Sequence, residues 1–111
     1  MKEKISLVVP CYNEGEGIEK FYEETMKTIN KLIEKYDYEM LFIDDGSADN
    51  TLQKLKGLNQ KDENVRVISF SRNFGKEAAM YAGLENFTGE YVVIMDADLQ
   101  NDPEIILQMI K

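Results

Sequence analysis

Four short apolar runs in this chain each end in polar residues of the kinds that hold metals and phosphates. After Ile5–Pro10 come Cys11, Tyr12, Asn13 and Glu14. The run Tyr38–Asp44 closes on a carboxylate and leads into Asp45, Gly46 and Ser47; after Val65–Ser69 come Arg72, Asn73 and Lys76. The run Tyr91–Asp96 ends on another carboxylate, followed by Asp98 and Gln100. If these runs are parallel strands, their ends share one rim, and ligands of open α/β sheets bind in the crevice at that rim. Carboxylates gathered there repel one another: two unit charges ~4 Å apart at an effective dielectric of ~20 repel by roughly 4 kcal/mol. A divalent cation relieves the crowding. Oxygen donors from Asp96, Asp98 and Gln100 suit Mg2+ or Mn2+, which keep positions open for water and substrate phosphates, so a diphosphate is the guest such an edge would take.

Each cluster also has a plainer reading. Asp44 and Asp45 before Gly46 and Ser47 make an ordinary turn and helix cap, and Asp96-Ala97-Asp98 is a short pattern. Arg72 and Lys76 read equally as solvated charges. Gly15 and Gly17 lack the third glycine of a dinucleotide fingerprint and read as a helix entrance. Cys11 has no histidine to activate it and reads as a packing residue. Convergence after a buried strand, facing a second acidic pair, favours a functional site over these readings taken singly.

Composition narrows the chemistry further. The chain has 111 residues and no histidine, which removes Ser-His-Asp triads, Cys-His dyads and histidine zinc sites together. Its 21 acidic against 13 basic residues give a net charge of -8, a surface that repels a nucleic-acid backbone. The single cysteine excludes an internal disulfide. No apolar stretch approaches the ~20 residues of a membrane span and the start lacks a signal-peptide core, so the chain as given is expected to be soluble and cytoplasmic.

The elements that must position these residues follow from periodicity. The four runs alternate with helical stretches, the pattern of one parallel-sheet α/β domain with helices on both faces. Ile18, Phe21, Tyr22, Thr25, Ile29, Leu32 and Ile33 form one stripe of a helix from about Gly17 to Lys35. A second helix carries Leu52, Leu55 and Leu58 behind the capping candidates Ser47 and Asp49, and a third runs from Lys76 to Asn86. The run Tyr91–Asp96 is apolar at nearly every position, which predicts a central strand covered on both faces. Asp102 before Pro103 reads as the start of a last helix, with Ile105, Ile106, Met109 and Ile110 on its apolar face. That helix stops at Lys111 without a cap, as in a chain cut from a longer parent.

Val8-Val9-Pro10-Cys11-Tyr12-Asn13-Glu14, Ile43 to Thr51, Ser71 to Ala79 and Val93 to Gln100 together resemble the successive motifs of family 2 glycosyltransferases. The likeness spans nearly the whole chain and is nearest to the branch that moves a sugar onto a polyprenyl or dolichyl phosphate. It implies the nucleotide-diphospho-sugar-binding half of a GT-A, Rossmann-like fold, with residues 1–111 truncated after the DXD segment. On this resemblance Pro10, Tyr12, Asn13, Glu14, Ile43 and Asp45 belong to the nucleotide pocket, with Asp45 accepting a base N–H. Arg72 and Lys76 would lie near the diphosphate beside Ala97, and Asp96, Asp98 and Gln100 would hold Mg2+ or Mn2+. The implied reaction is a metal-dependent, inverting transfer from a UDP- or GDP-linked sugar to a lipid phosphate. The parent is expected at the cytoplasmic membrane face, the catalytic base and acceptor site beyond Lys111, and this chain inactive alone, with its cut face a candidate for homodimerisation. Ala48 and Asn50 depart from the threonine and glycine common in the acidic turn.

Two other classes compete. A phospho-receiver is also a parallel α/β domain with an acidic pair, but its pair follows the first strand, and no later strand here supplies its lysine. A noncatalytic nucleotide-binding module fits the same residues.

Overall fold

The computed structural model describes residues 2–97. Asp98, Gln100 and the helix expected from Asp102 lie outside the described residues. Seven elements alternate along the chain: β1 (Glu3–Cys11), α1 (Ile18–Ile29), β2 (Tyr36–Asp44), α2 (Thr51–Lys61), β3 (Val65–Ser69), α3 (Lys76–Asn86) and β4 (Tyr91–Ile94). The strands form one parallel sheet in the order β3-β2-β1-β4.

Period-2 alternation sorts the strand residues onto two faces. Ile5, Leu7 and Val9 of β1, Tyr38, Met40 and Phe42 of β2 and Val93 of β4 pack beneath α1 and α2, which contribute Ile18, Phe21, Ile29, Leu55 and Leu58. Val8, Leu41 and Ile43 point the other way and pack with Ala79 of α3. Helices therefore cover both faces, as the sequence predicts. The chain moves outward from β1 through β2 to β3, then α3 carries it back across the sheet to β4. Sheet order thus reverses between β1 and β4, the switch point at which such folds bind ligands. A receiver domain has β1 between β2 and β3, so this order excludes it.

Two expectations are corrected. Among the described residues β4 is an edge strand, with Tyr91 and Ile94 each 37% exposed, and the sheet's centre is β1 and β2. Val93 nevertheless packs into the core on one face and Val92 against the core on the other. The first helix ends at Ile29 rather than near Lys35, because beyond it the hydrogen bonds tighten to three-residue spacing, from Lys31 N to Thr28 O and from Leu32 N to Ile29 O. Leu32 still packs on the core, while Ile33 is turned outward.

At the opposite rim, a buried carboxylate ties the α3–β4 turn to the sheet. Glu39 accepts hydrogen bonds from Ser6 Oγ (2.6 Å), Thr88 N (2.7 Å), Thr88 Oγ1 (3.1 Å) and Arg66 Nη1 (2.8 Å). Burial on its own would raise this carboxyl, but the bonds from Ser6, Thr88 and Arg66 outweigh it and hold the group down at about 2, against an ordinary 4.5. A carboxyl lowered on folding adds stability above its unfolded value and loses it as the pH falls toward the folded one. Stability is therefore expected to drop between about pH 4.5 and pH 2. Glu39→Gln should flatten that slope and cost about 3 kcal/mol near neutrality, read as urea midpoints against pH.

Candidate functional site

The rim at the switch point holds a cavity of about 430 Å³, lined by Pro10, Cys11, Tyr12, Glu14, Asp45, Asn73, Gly75, Lys76, Asp96 and Ala97. That is a size typical of small-molecule sites. Parallel pairing brings these residues together: the register Pro10↔Ile43 and Cys11↔Asp44 sets the ends of β1 and β2 level, and Val8↔Ile94 places Asp96 just beyond, beside Pro10.

One wall comes from the loop after β3. Asp45 is 3% exposed, and its carboxylate holds that loop in place. Oδ1 accepts from Phe74 N (2.8 Å), and Oδ2 accepts from Gly75 N and Asn73 Nδ2 (both 3.1 Å). Gly46 lies against the same loop at φ +68°, where an added Cβ would come within 2.2 Å of the Arg72 carbonyl carbon. Gly75, at φ +105°, then starts α3. The first residue of that helix, Lys76, reaches over the cavity to Asp96, Nζ to Oδ1 2.6 Å. Three carboxylates, Glu14, Asp45 and Asp96, and one ammonium thus line the space. This is a net negative cavity in which a divalent cation would be welcome and an unaccompanied anion would not.

The opposite wall is Pro10 to Glu14. The Cys11 thiol donates to Val9 O at 3.4 Å. Burial foremost, then the nearby Asp44 and Glu14 carboxylates, pushes it far up, so it stays protonated and serves as packing.

Of the residues singled out from sequence, Pro10, Tyr12, Glu14, Asp45, Lys76, Asp96 and Ala97 meet in this cavity. Three do not. Ile43 is fully buried under α3, one layer behind the site. Asn13, at φ 53°, turns its amide away to accept from Ala48 N at 2.8 Å. Arg72 stacks on the exposed ring of Phe74, 4.8 Å from its centroid. Asp44 is buried in the turn, accepting from Ser47 N at 3.3 Å, so fewer of the rim's carboxylates face the cavity than the sequence suggested. Asn73 and Gly75 line it without having been assigned a role there; their signal was adjacency to Lys76 in the third motif.

Asp96 is the one described member of the expected metal set. Among the described residues no three His, Cys, Asp or Glu side chains converge closely enough to hold a metal ion. Also among the described residues, no helix is long and apolar enough to cross a membrane.

The chain matches the family model for glycosyl transferase family 2 over residues 6–111. It is 48% identical over 107 residues to the putative glycosyltransferase CsbB of Bacillus subtilis, covering 96% of this chain and 32% of that protein. It is 45% identical over 108 residues to the bactoprenol glucosyl transferase of Shigella phage SfX, covering 97% of this chain and 35% of that one. The chain thus spans about a third of the length of these curated relatives. Among solved structures, the mannosyltransferase PcManGT of Pyrobaculum calidifontis, in complex with GDP-Man and Mn2+, superposes with a TM-score of 0.75 at 26% identity, over 88% of this chain and 28% of that one.

Proposed function

The chain belongs to glycosyl transferase family 2, and from that premise we propose that its rim cavity is the donor site of a nucleotide-sugar-dependent transferase whose acceptor is a polyprenyl phosphate. The observation that carries the reading is convergence: seven residues, drawn from all four sequence motifs, line one cavity at the switch point of the sheet. The solved neighbour named with GDP-Man and Mn2+ supports a nucleotide sugar and a divalent cation as ligands, and the relative named for bactoprenol supports the acceptor.

Within this reading Pro10, Tyr12, Glu14 and Asp45 bound the base and ribose, and Lys76 and Ala97 lie on the diphosphate side. Asp45 accepts three N–H groups already, which leaves a carboxylate room for about one more, from a base. Asp96, with Asp98 and Gln100, would hold Mg2+ or Mn2+, an all-oxygen set that suits either ion. When bound, that ion supplies positive charge to the leaving nucleoside diphosphate. Lys76 adds a second, tethered positive charge beside Asp96.

Transfer is a single in-line displacement. A phosphate oxygen of the lipid, already ionised at neutral pH, attacks the anomeric carbon; the bond from that carbon to the β-phosphate oxygen breaks, and the nucleoside diphosphate departs with the electron pair. The anomeric configuration inverts. The reading is tested by incubating the longer parent protein that carries this chain with Mn2+, undecaprenyl phosphate and radiolabelled UDP-glucose or GDP-mannose. Label is expected in the lipid from one donor, and label in neither lipid product would contradict it.

A further inference from the structure

We propose that Ser47, Asp49 and above all Thr51 are positioning residues for the donor cavity, setting the wall that carries Tyr12 and Glu14; this rests on the donor-site reading. The loop that follows β1 makes an unusual use of its backbone. Three consecutive amides, those of Asn13, Glu14 and Gly15, each donate to a side chain of the β2–α2 turn or of the first residue of α2. They reach Ser47 Oγ (2.9 Å), Thr51 Oγ1 (2.9 Å) and Asp49 Oδ2 (3.0 Å) respectively. The turn answers with its own amide, Ala48 N donating to Asn13 Oδ1 at 2.8 Å, and Lys54 Nζ donates to Gly15 O at 2.6 Å. A loop whose amides rest on backbone carbonyls keeps its course under most substitutions. This one depends on the side-chain types across from it.

Thr51 is the pivot. It is fully buried, and its hydroxyl accepts from Glu14 N while donating to Asp49 Oδ1. That donation, the largest influence on Asp49, holds its carboxyl below the usual range and leaves Oδ2 as acceptor for Gly15. The approach is close: a Cβ on Gly15 would come within 2.0 Å of Asn50 Oδ1, whose side chain would have to swing aside, and 2.9 Å from Asp49 Oδ2. The front of the same turn, Asp45 and Gly46, holds the other wall. None of Ser47, Asp49 and Thr51 lines the cavity, so their effect on a ligand passes through Tyr12 and Glu14.

Ser47 was expected to cap α2 and does not, because its hydroxyl serves Asn13 N. Asp49 does accept from Thr51 N at 3.0 Å, just ahead of the helix.

The test titrates UDP and GDP, with Mn2+, into the full chain and its variants well below their unfolding midpoints. Thr51→Val removes the hydroxyl at nearly constant shape, and Thr51→Ser keeps it. Thr51→Val is expected to weaken the nucleotide the unmodified chain binds by roughly tenfold, with Thr51→Ser within about twofold, the scale of one lost hydrogen bond at a positioned amide. Thr25→Val serves as the stability control: Thr25 Oγ1 is buried without a hydrogen-bond partner, so this variant should shift the midpoint upward and leave binding unchanged. Should Thr51→Val fail to fold, Asp49→Asn carries the test, since it keeps an oxygen for Thr51 and turns an NH2 toward Gly15 N. Equal binding by the folded valine variant, or by the asparagine variant where the valine one does not fold, overturns the proposal. Absence of UDP and GDP binding by the unmodified chain instead overturns the donor site itself, and this inference with it.

Discussion

Asp96→Asn is expected to lower sugar transfer by the longer parent protein about a thousandfold, and to remove the stimulation of nucleotide binding by Mn2+ in this chain. The substitution keeps the shape of the side chain and deletes its charge, so packing at the end of β4 should survive and the midpoint of unfolding should move little. Two interactions are lost together. The neutral amide brings no negative charge to a divalent cation, and Lys76 Nζ, now 2.6 Å from Asp96 Oδ1, loses that countercharge. Lys76 and a divalent ion would also compete for that carboxylate in the absence of donor. Lys76→Met should accordingly tighten the binding of Mn2+ alone while weakening the binding of the nucleotide, a split that calorimetry reads directly. An Asp96→Asn protein that kept its Mn2+ requirement would remove this residue from the metal set.

Gly46→Ala is the second large effect. At φ +68° a side chain costs roughly 1 to 2 kcal/mol on conformational grounds. The new Cβ would also fall 2.2 Å from the Arg72 carbonyl carbon and 2.4 Å from Asn73 N, both backbone atoms that cannot swing aside. Relief requires moving the loop from Arg72 to Gly75, and with it the three N–H groups on Asp45 and the start of α3. A destabilisation of about 3 kcal/mol is expected, and in the fraction that stays folded nucleotide affinity should fall by at least roughly tenfold. Gly57→Ala is the informative contrast. Gly57 sits inside α2 with open space where its Cβ would be, so alanine there should add about 1 kcal/mol of stability without touching the site. Chemical denaturation of the two variants beside the unmodified chain checks both signs.

The parallel architecture was legible because short apolar runs alternate with helix-forming stretches, two of them, after β1 and β2, with a clear apolar stripe. β3 and α3 run over the residues expected for them, Val65–Ser69 and Lys76–Asn86. The rim was legible for the same reason, since strand ends in a parallel sheet must share an edge. What periodicity cannot carry is which way a rim side chain turns. Asn13, Arg72 and Ile43 sit in the right motifs, yet one is turned to Ala48, one to Phe74 and one into the core. Asp44 and Asp45 are neighbours of identical type at the end of β2, yet one closes its own turn and the other faces the cavity and grips the loop after β3. The mutual grip of Ser47, Asp49 and Thr51 on the first loop was equally hidden, because it joins segments more than 30 residues apart through amides that have no sequence signature. Among the described residues β4 lies at the sheet edge rather than at its centre, because an apolar run reports what could be covered and not which residues cover it.

The central claim is that this rim binds a nucleoside diphosphate with a divalent cation. Calorimetric titration of UDP and of GDP into the full chain, each with and without Mn2+, tests it most directly. Binding of one nucleotide that strengthens with Mn2+ and is lost in Asp96→Asn is the predicted result. Binding of neither nucleotide at any Mn2+ concentration, by protein shown to be folded, would contradict it.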